Sequence, residues 1–588
     1  MSSRNQQERM GTAGYLPRGG ACVSCRRRKM KCDAARPVCT QCERGGRSED
    51  CEYLVGQERS TVQILEDNIS RLEARIQELQ NPDVAQTMPV NLHQPYVANG
   101  SGQAKAAPTS SHARAVQDPP RHVAEALLSG FLPYASEMGL FLNIPCFHAS
   151  ILQAHPIGHQ SRPAPALIYA TYLWAIRLSR DPSVKAYESA YLHRATQDAA
   201  TILSGSHPNK ILHSIQAEVL LATYFFANGR FFEGKYHLSN AVSTVFSARM
   251  HKIRSSEPSQ QQVASQSSRM PSPRDPVEEG ERIIGLWTVL TLDKTWAVAL
   301  ESPPNFEHSM HALATKVDTP WPLEMEDFEH ARLPQQVRTA ATIHNFLGGV
   351  PTPDLGVSSR AIETKAAILW ERVNIFARNC GASSFFVPFA WPSNPSNCCL
   401  QSHLADNTLQ QDLSPFLQEF TNLSALLDAV IGRLPSLDPQ AIVRIQNAEQ
   451  ARRFSVAYTI LNAAAIRLHA PFALSGRSET SKNKRITAAR TVLLMIVAVR
   501  SRGDGYLNPI VGTAWIEASQ VLFEEVNSIR AIRSSGNWNG GASHHSPPDE
   551  RPILGLIRQA VGAMTDYSVN IPLTSFQVGR IQETLRAM

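Results

Sequence analysis

The chain has 588 residues, long enough for several domains, and its 43% hydrophobic and 18% charged residues are ordinary for a globular protein, so composition alone assigns no function. The longest uninterrupted apolar run, residues 492–499, is far short of a bilayer span, which argues against a membrane protein. The first twenty residues carry Arg4, Arg9 and Arg18 and no apolar stretch, so no secretory leader is expected and the chain reads as soluble and intracellular.

The net charge of +6 is unevenly placed: eleven Lys/Arg and six Asp/Glu up to Tyr53 leave +5 in that short segment. A basic block on a near-neutral chain is the footprint of a nucleic-acid-binding module. Cysteine is equally uneven. Six of the ten lie between Cys22 and Cys51, the others being Cys146, Cys380, Cys398 and Cys399. In a reducing compartment such a cluster favours metal over disulfides.

A polar tail, 1–17, precedes the cluster at 18–56. The segment CVSCRRRKMKCDAARPVCTQCERGGRSEDC holds Cys22, Cys25, Cys32, Cys39, Cys42 and Cys51. Two CxxC pairs each bring two sulfurs to one metal, and zinc prefers four thiolates in a tetrahedron. Two zinc ions need eight ligand positions, which six thiolates fill only if two of them bridge. A disulfide knot and a pair of one-zinc sites built on the CxxC pairs are the alternatives; the second leaves Cys32 and Cys51 without a role. With few bulky apolar side chains, the segment must fold on its metal. Between Cys25 and Cys32 stand Arg26, Arg27, Arg28, Lys29 and Lys31. On a short helix, such cations reach guanine edges in the major groove and flanking phosphates. A nuclear-import signal is the plainer reading of the same run.

This arrangement resembles the fungal zinc binuclear cluster family of transcription factors, through all six cysteines, Arg26, Arg28, Lys29, Lys31 and the loop proline Pro37. The resemblance implies two Zn2+ per chain, with Cys22 and Cys39 as bridges. Cys25 and Cys32 then complete one site, Cys42 and Cys51 the other. It further implies that Lys29 contacts bases of CGG-like triplets in double-stranded DNA, that Arg26 and Lys31 grip phosphate, and that the protein acts in the nucleus on RNA polymerase II transcription.

Residues 57–81 supply a connection and then a heptad, with Val62, Ile69 and Ile76 at a positions and Leu65, Leu72 and Leu79 at d. β-Branched a residues with leucine at d favour a parallel two-stranded coiled coil, here about 27 Å long. Glu66, Glu73, Asn68 and Arg75 at e and g give little partner selectivity, so a homodimer is expected and a heterodimer stays open. Residues 82–120, rich in Pro, Gly, Ser, Gln and Ala, read as a flexible linker.

From about 121 to 588 the pattern is helical. Ile211, Ile215, Val219, Ala222 and Phe226 mark one apolar face, and similar helices are predicted at 165–180, 183–204, 230–250, 278–299, 358–378, 408–433, 446–470, 484–501, 510–532 and 553–567. A disordered insertion is expected near 254–277. The segments QAEVLLATYFFANGRFFEG (216–234) and ERIIGLWTVLTLDKTWAVALESPP (281–304) resemble the all-helical fungal-specific transcription factor domain. There the second motif usually ends in Gly-Arg-Pro; here Glu301, Ser302 and Pro303 take that place. The fold class is therefore mainly α: zinc head, short coil, linker and a large helical regulatory domain open to co-regulators or a small-molecule effector.

No P-loop, GxSxG elbow or HExxH motif accompanies these segments, so the chain is not expected to be an enzyme. His308 and His311 read as surface residues, Cys398 and Cys399 as incidental thiols, and Asp293 as a buried, hydrogen-bonded structural carboxylate. Target genes, the sign of regulation and half-site spacing are not encoded legibly.

Overall fold

The computed structural model describes residues 20–49, 51, 53, 118–256, 270–306, 316–352, 354, 356–379, 413–434, 441, 444–474, 478–503, 505–534 and 549–588. The chain divides into two compact units, Met1–Thr109 and Ser110–Met588. The heptad residues Val62, Leu65, Ile69, Leu72, Ile76 and Leu79 lie outside the described residues, as does most of the 82–120 linker.

In the first unit two short helices, α1 (Val23–Arg27) and α2 (Thr40–Arg44), face a core made almost wholly of cysteine. Among the described residues only Ala21, Val38, Cys51 and Tyr53 pack beside those sulfurs as partly buried apolar neighbours. So little apolar surface cannot offset the entropy of ordering the chain, and the fold must draw on metal binding.

The second unit is helical, and its described residues contain no strand, only an isolated bridge between Ser255 and Thr339. Its main helices are α3 (Arg121–Phe131), α4 (Ile144–Ile151), α5 (Pro165–Leu178), α6 (Glu188–Thr201), α7 (Lys210–Ala227) and α8 (Phe231–Ser247). There follow α9 (Pro276–Ala299), α10 (Ser359–Asn379), α11 (Leu413–Ile431), α12 (Ala448–Leu474), α13 (Glu479–Arg500), α14 (Ile510–Ser534), α15 (Arg551–Tyr567) and α16 (Pro572–Ala587). Helix α12 packs against both α10 and α13, and α7 against α8. No helix among the described residues is long and apolar enough to cross a membrane.

The face predicted on α7 is incomplete. Ile215, Val219, Ala222 and Phe226 are buried, but so is the opposite side from Leu212 to Ala227, which makes α7 a central helix. Its polar residues are buried because the fold satisfies them. Gln216 accepts from the Phe141 amide at 2.8 Å and donates to the Gly139 carbonyl at 2.9 Å, while Glu218 meets His237 Nδ1 at 2.6 Å. Gly139 has a φ of 90°, and a Cβ there would collide with Val219, so glycine is required twice over.

Helix α9 is fixed at both ends. The Asp275 side chain caps it by accepting from the Glu278 amide at 2.8 Å, and Pro276 opens its first turn. At the other end the Ser302 amide reaches the Ala297 carbonyl at 3.0 Å and the Glu301 amide reaches Val298 at 3.3 Å. That closing motif turns on a left-handed residue, here Glu301 with a φ of 49°. A glutamate thus holds a backbone conformation that favours glycine.

Both borders of the expected 254–277 insertion are described. Arg254 pairs with Glu279 at 2.7 Å, the Ser256 amide donates to Thr339, and α9 already begins at Pro276. Residues 257–269 lie outside the described residues.

Candidate metal centre and nucleic-acid interface

The sulfurs of Cys22, Cys25, Cys39 and Cys42 all lie within 4.8 Å of one another, and all four residues are buried. Cys39 Sγ is 3.7 Å from Cys22 and 3.6 Å from Cys25, and Cys22 is 3.8 Å from Cys42. The other two cysteines border this quartet. Cys51 Sγ accepts from the Cys39 amide at 3.2 Å, and Cys32 forms a second group with Asp33 and Cys39, also within 4.8 Å.

The thiols suit a divalent soft-to-borderline cation and little else. Burial pushes Cys22 far above the usual thiol range, Cys25 up to about 12 and Cys51 upward as well. Burial opposes ionisation of Cys39 too, but the Cys42 amide and the neighbouring thiols outweigh it and carry Cys39 down to about 6. Holding several thiolates in so small a space requires the positive charge of a metal, and zinc fits four sulfurs in a tetrahedron.

The two CxxC pairs fold alike. Cys22 is the N-cap of α1, its sulfur accepting from the Cys25 amide at 3.4 Å; Cys39 is the N-cap of α2, its carbonyl accepting from Cys42 at 3.0 Å. Both helices end in the same pair of bonds. Met30 donates to the Cys25 carbonyl at 2.9 Å and Lys29 to Arg26 at 3.2 Å. In α2, Arg47 donates to Cys42 at 2.9 Å and Gly46 to Glu43 at 3.1 Å. The pivot is left-handed in each, with a φ of 64° at Gly46 and 54° at Lys29. One half uses the residue that this geometry favours, and the other uses a lysine against it.

Arg26, Arg27, Arg28, Lys29 and Lys31 are all exposed, so the cationic run faces solvent while its flanking cysteines face inward. Arg26 Nη2 also donates to the Ala21 carbonyl at 3.1 Å.

Three supporting contacts were not read from the sequence. The Asp33 carboxylate accepts from the Thr40 amide at 3.2 Å and from its hydroxyl, which ties the end of the first half to the start of α2. Tyr53 donates to the Ala35 carbonyl at 2.9 Å, and the Arg36 guanidinium lies 5.0 Å from the centre of its ring. The positions of Asp33 and Thr40, each directly after a cysteine, were the available signal.

In the helical unit Asp293 is buried, accepting from the Asn305 amide at 3.0 Å and the Phe306 amide at 2.8 Å, so it fixes the loop after α9. His308, His311, Cys398 and Cys399 lie outside the described residues.

Comparison with known proteins agrees with this geometry. The profile of the fungal Zn(2)-Cys(6) binuclear cluster domain matches residues 20–60, and that of the fungal specific transcription factor domain matches residues 134–346. A curated relative, the C6 finger domain transcription factor hasF of Aspergillus fumigatus, is 62% identical over 37 residues. That stretch is 6% of this chain and 5% of the relative, so the likeness is confined to one small module. No solved structure matches.

Proposed function

Because the chain belongs to the family of fungal Zn(2)-Cys(6) transcription factors, we propose that it regulates transcription in the nucleus by reading specific DNA sequences with its zinc head. The observation that carries this reading is the exposed run Arg26 to Lys31, set between buried Cys25 of the four-sulfur group and buried Cys32 of the group beside it. Lys29 is the base reader. Its left-handed backbone ends α1 abruptly and sets its side chain apart from those of the helix. Arg26, Arg27, Arg28 and Lys31 supply the sequence-independent hold on phosphate, with Arg28 also within reach of bases.

Two zinc ions bind per head, bridged by Cys22 and Cys39. The short distances from Cys39 to Cys22 and Cys25, and from its amide to Cys51, support that role. A one-zinc reading is favoured by the compactness of the two CxxC pairs alone. Zinc analysis of the 1–109 unit separates them: two ions, with Cys32→Ser disrupting the fold, supports the shared cluster, and one ion supports the quartet.

The head works as a homodimer through Val62–Leu79, because one head contacts too few base pairs to select a genomic site. Selection from a random duplex library with the full chain tests the reading. Enrichment of paired CGG-like triplets supports it, and a library recovered without sequence bias overturns it.

A further inference from the structure

Helices α4, α7 and α9 of the helical unit border an open cleft of about 250 Å³, and the N-terminus of α7 gives onto it. No side chain caps that end, and among the described residues the amides of Ile211 and Leu212 meet no acceptor. The first-turn amides of such a helix carry partial positive charge and suit an anion. Two polar side chains of the same lining are more than nine-tenths buried and incompletely partnered. His213, 8% exposed, accepts from the Ala164 amide on Nδ1 at 3.1 Å, so its proton sits on Nε2, which has no partner among the described residues. Arg282, 7% exposed, donates from its terminal nitrogens to the Pro271 carbonyl and to Glu278, while its Nε has no partner.

The cleft also holds acids, and their charge is largely spent. Glu278 is shared between Arg282 and Arg274, whose Nε it meets at 2.6 Å. Glu281 accepts from the Asn143 amide at 2.9 Å, and its second oxygen has no partner among the described residues. Burial, and then the nearby Glu278 and Asp275, raise the Glu281 carboxyl to about 7, so in mildly acidic solution it carries a proton to donate. Burial also carries His213 down to about 3, which keeps the imidazole neutral, and pushes the Cys146 thiol up. Among the lining side chains two guanidiniums then face one carboxylate, which leaves a single positive charge. The other polar side chains are Asn209 and Ser150, whose hydroxyl donates to the Phe147 carbonyl at 2.8 Å. Leu142, Phe147 and Met270 supply an apolar wall.

We propose that this cleft binds a small monocarboxylate with a short apolar chain, its carboxylate at the α7 amides and His213 Nε2 and its chain against Leu142, Phe147 and Met270. One surplus positive charge suits a monoanion, whereas a dianion would leave charge uncompensated against Glu278. The volume falls below the roughly 300–1,000 Å³ of drug-sized sites, so the acid has few heavy atoms.

The test is thermal melting of the zinc-loaded full chain at about pH 6, with sodium chloride exchanged for acetate, propionate, butyrate or hexanoate at constant ionic strength. The midpoint should climb with the concentration of a fitting acid, by on the order of 2–4 °C at about a hundredfold excess over its Kd. His213→Asn keeps an acceptor for the Ala164 amide but has no imidazole N–H, and it should lose most of that rise. Midpoints equal to chloride for all four acids, an undiminished rise in His213→Asn, or an equal rise with inorganic phosphate overturn the proposal. Should His213→Asn fail to fold, Ser150→Trp, which fills the cleft from α4, takes its place. Loss of the rise there supports the site, and an undiminished rise refutes it.

Discussion

Replacing Lys29 with glycine should make the zinc head more stable and less able to read DNA. Lys29 holds a φ of 54° at the pivot where the equivalent position of the second half is Gly46. A side chain in that conformation costs about 1–2 kcal/mol, and glycine returns about 0.5–1 kcal/mol of this through the freedom of the unfolded chain. The net gain is therefore about 0.5–1 kcal/mol. Because folding of such a head is coupled to metal binding, the gain should appear as roughly two- to fivefold greater resistance to a competing chelator. Losing the lysine side chain should cost about 1–3 kcal/mol of discrimination between cognate and scrambled duplexes. Lys29→Ala is the control, since it removes the same side chain and keeps the backbone penalty. Both variants should lose discrimination, and only Lys29→Gly should hold zinc better than the parent. Equal chelator resistance in the two variants would refute the strain argument, and retained discrimination would refute Lys29 as the reader.

Glu301→Gly should stabilise the helical unit for the same reason, by about 0.5–1 kcal/mol, because Glu301 has a φ of 49° where α9 closes; a lower melting midpoint would contradict this. Burial pushes the Glu281 carboxyl up to about 7, above its unfolded value, so its stabilising contribution is full at low pH and is lost as pH rises through about 7. Glu281→Gln cannot ionise and should gain on the parent between about pH 5 and pH 8 by on the order of 1–2 kcal/mol; denaturant titrations showing a constant difference would refute it. Arg26→Ala should weaken binding to cognate and scrambled DNA alike and flatten the salt dependence, and a selective loss at the cognate site would instead make Arg26 a reader. Replacing Ile69 and Leu72 together with aspartate should abolish dimers in sedimentation and lower affinity for a two-half-site duplex by on the order of 100-fold. Affinity for one half-site should stay unchanged, and a variant that remains dimeric would place the dimer contact elsewhere.

The zinc head was legible because metal chemistry fixes both residue type and spacing, and a pair of one-zinc sites would leave Cys32 and Cys51 without a role. The long helices were legible through their apolar spacing, and α9 and α14 lie within two residues of their predicted bounds. What escaped was conformational or distant in sequence. A lysine and a glutamate carry no signal for left-handed backbone, so the shared geometry of Lys29 and Gly46 emerges only from the hydrogen bonds. The burial of Gln216 and Glu218 carries no local signal because their partners, Phe141, Gly139 and His237, come from other elements. Glu137 and Arg452 pair although more than 300 residues separate them, and no local pattern announces that contact.

The most direct test is a competition titration of the full chain between a duplex carrying paired CGG-like triplets and a scrambled duplex of equal length, before and after zinc removal. Zinc-loaded protein should prefer the patterned duplex by at least about 1,000-fold at physiological salt. Chelation should erase the preference, and added zinc should restore it. Equal affinity for the two duplexes, or a preference that survives chelation, would contradict a zinc-folded head that reads DNA sequence.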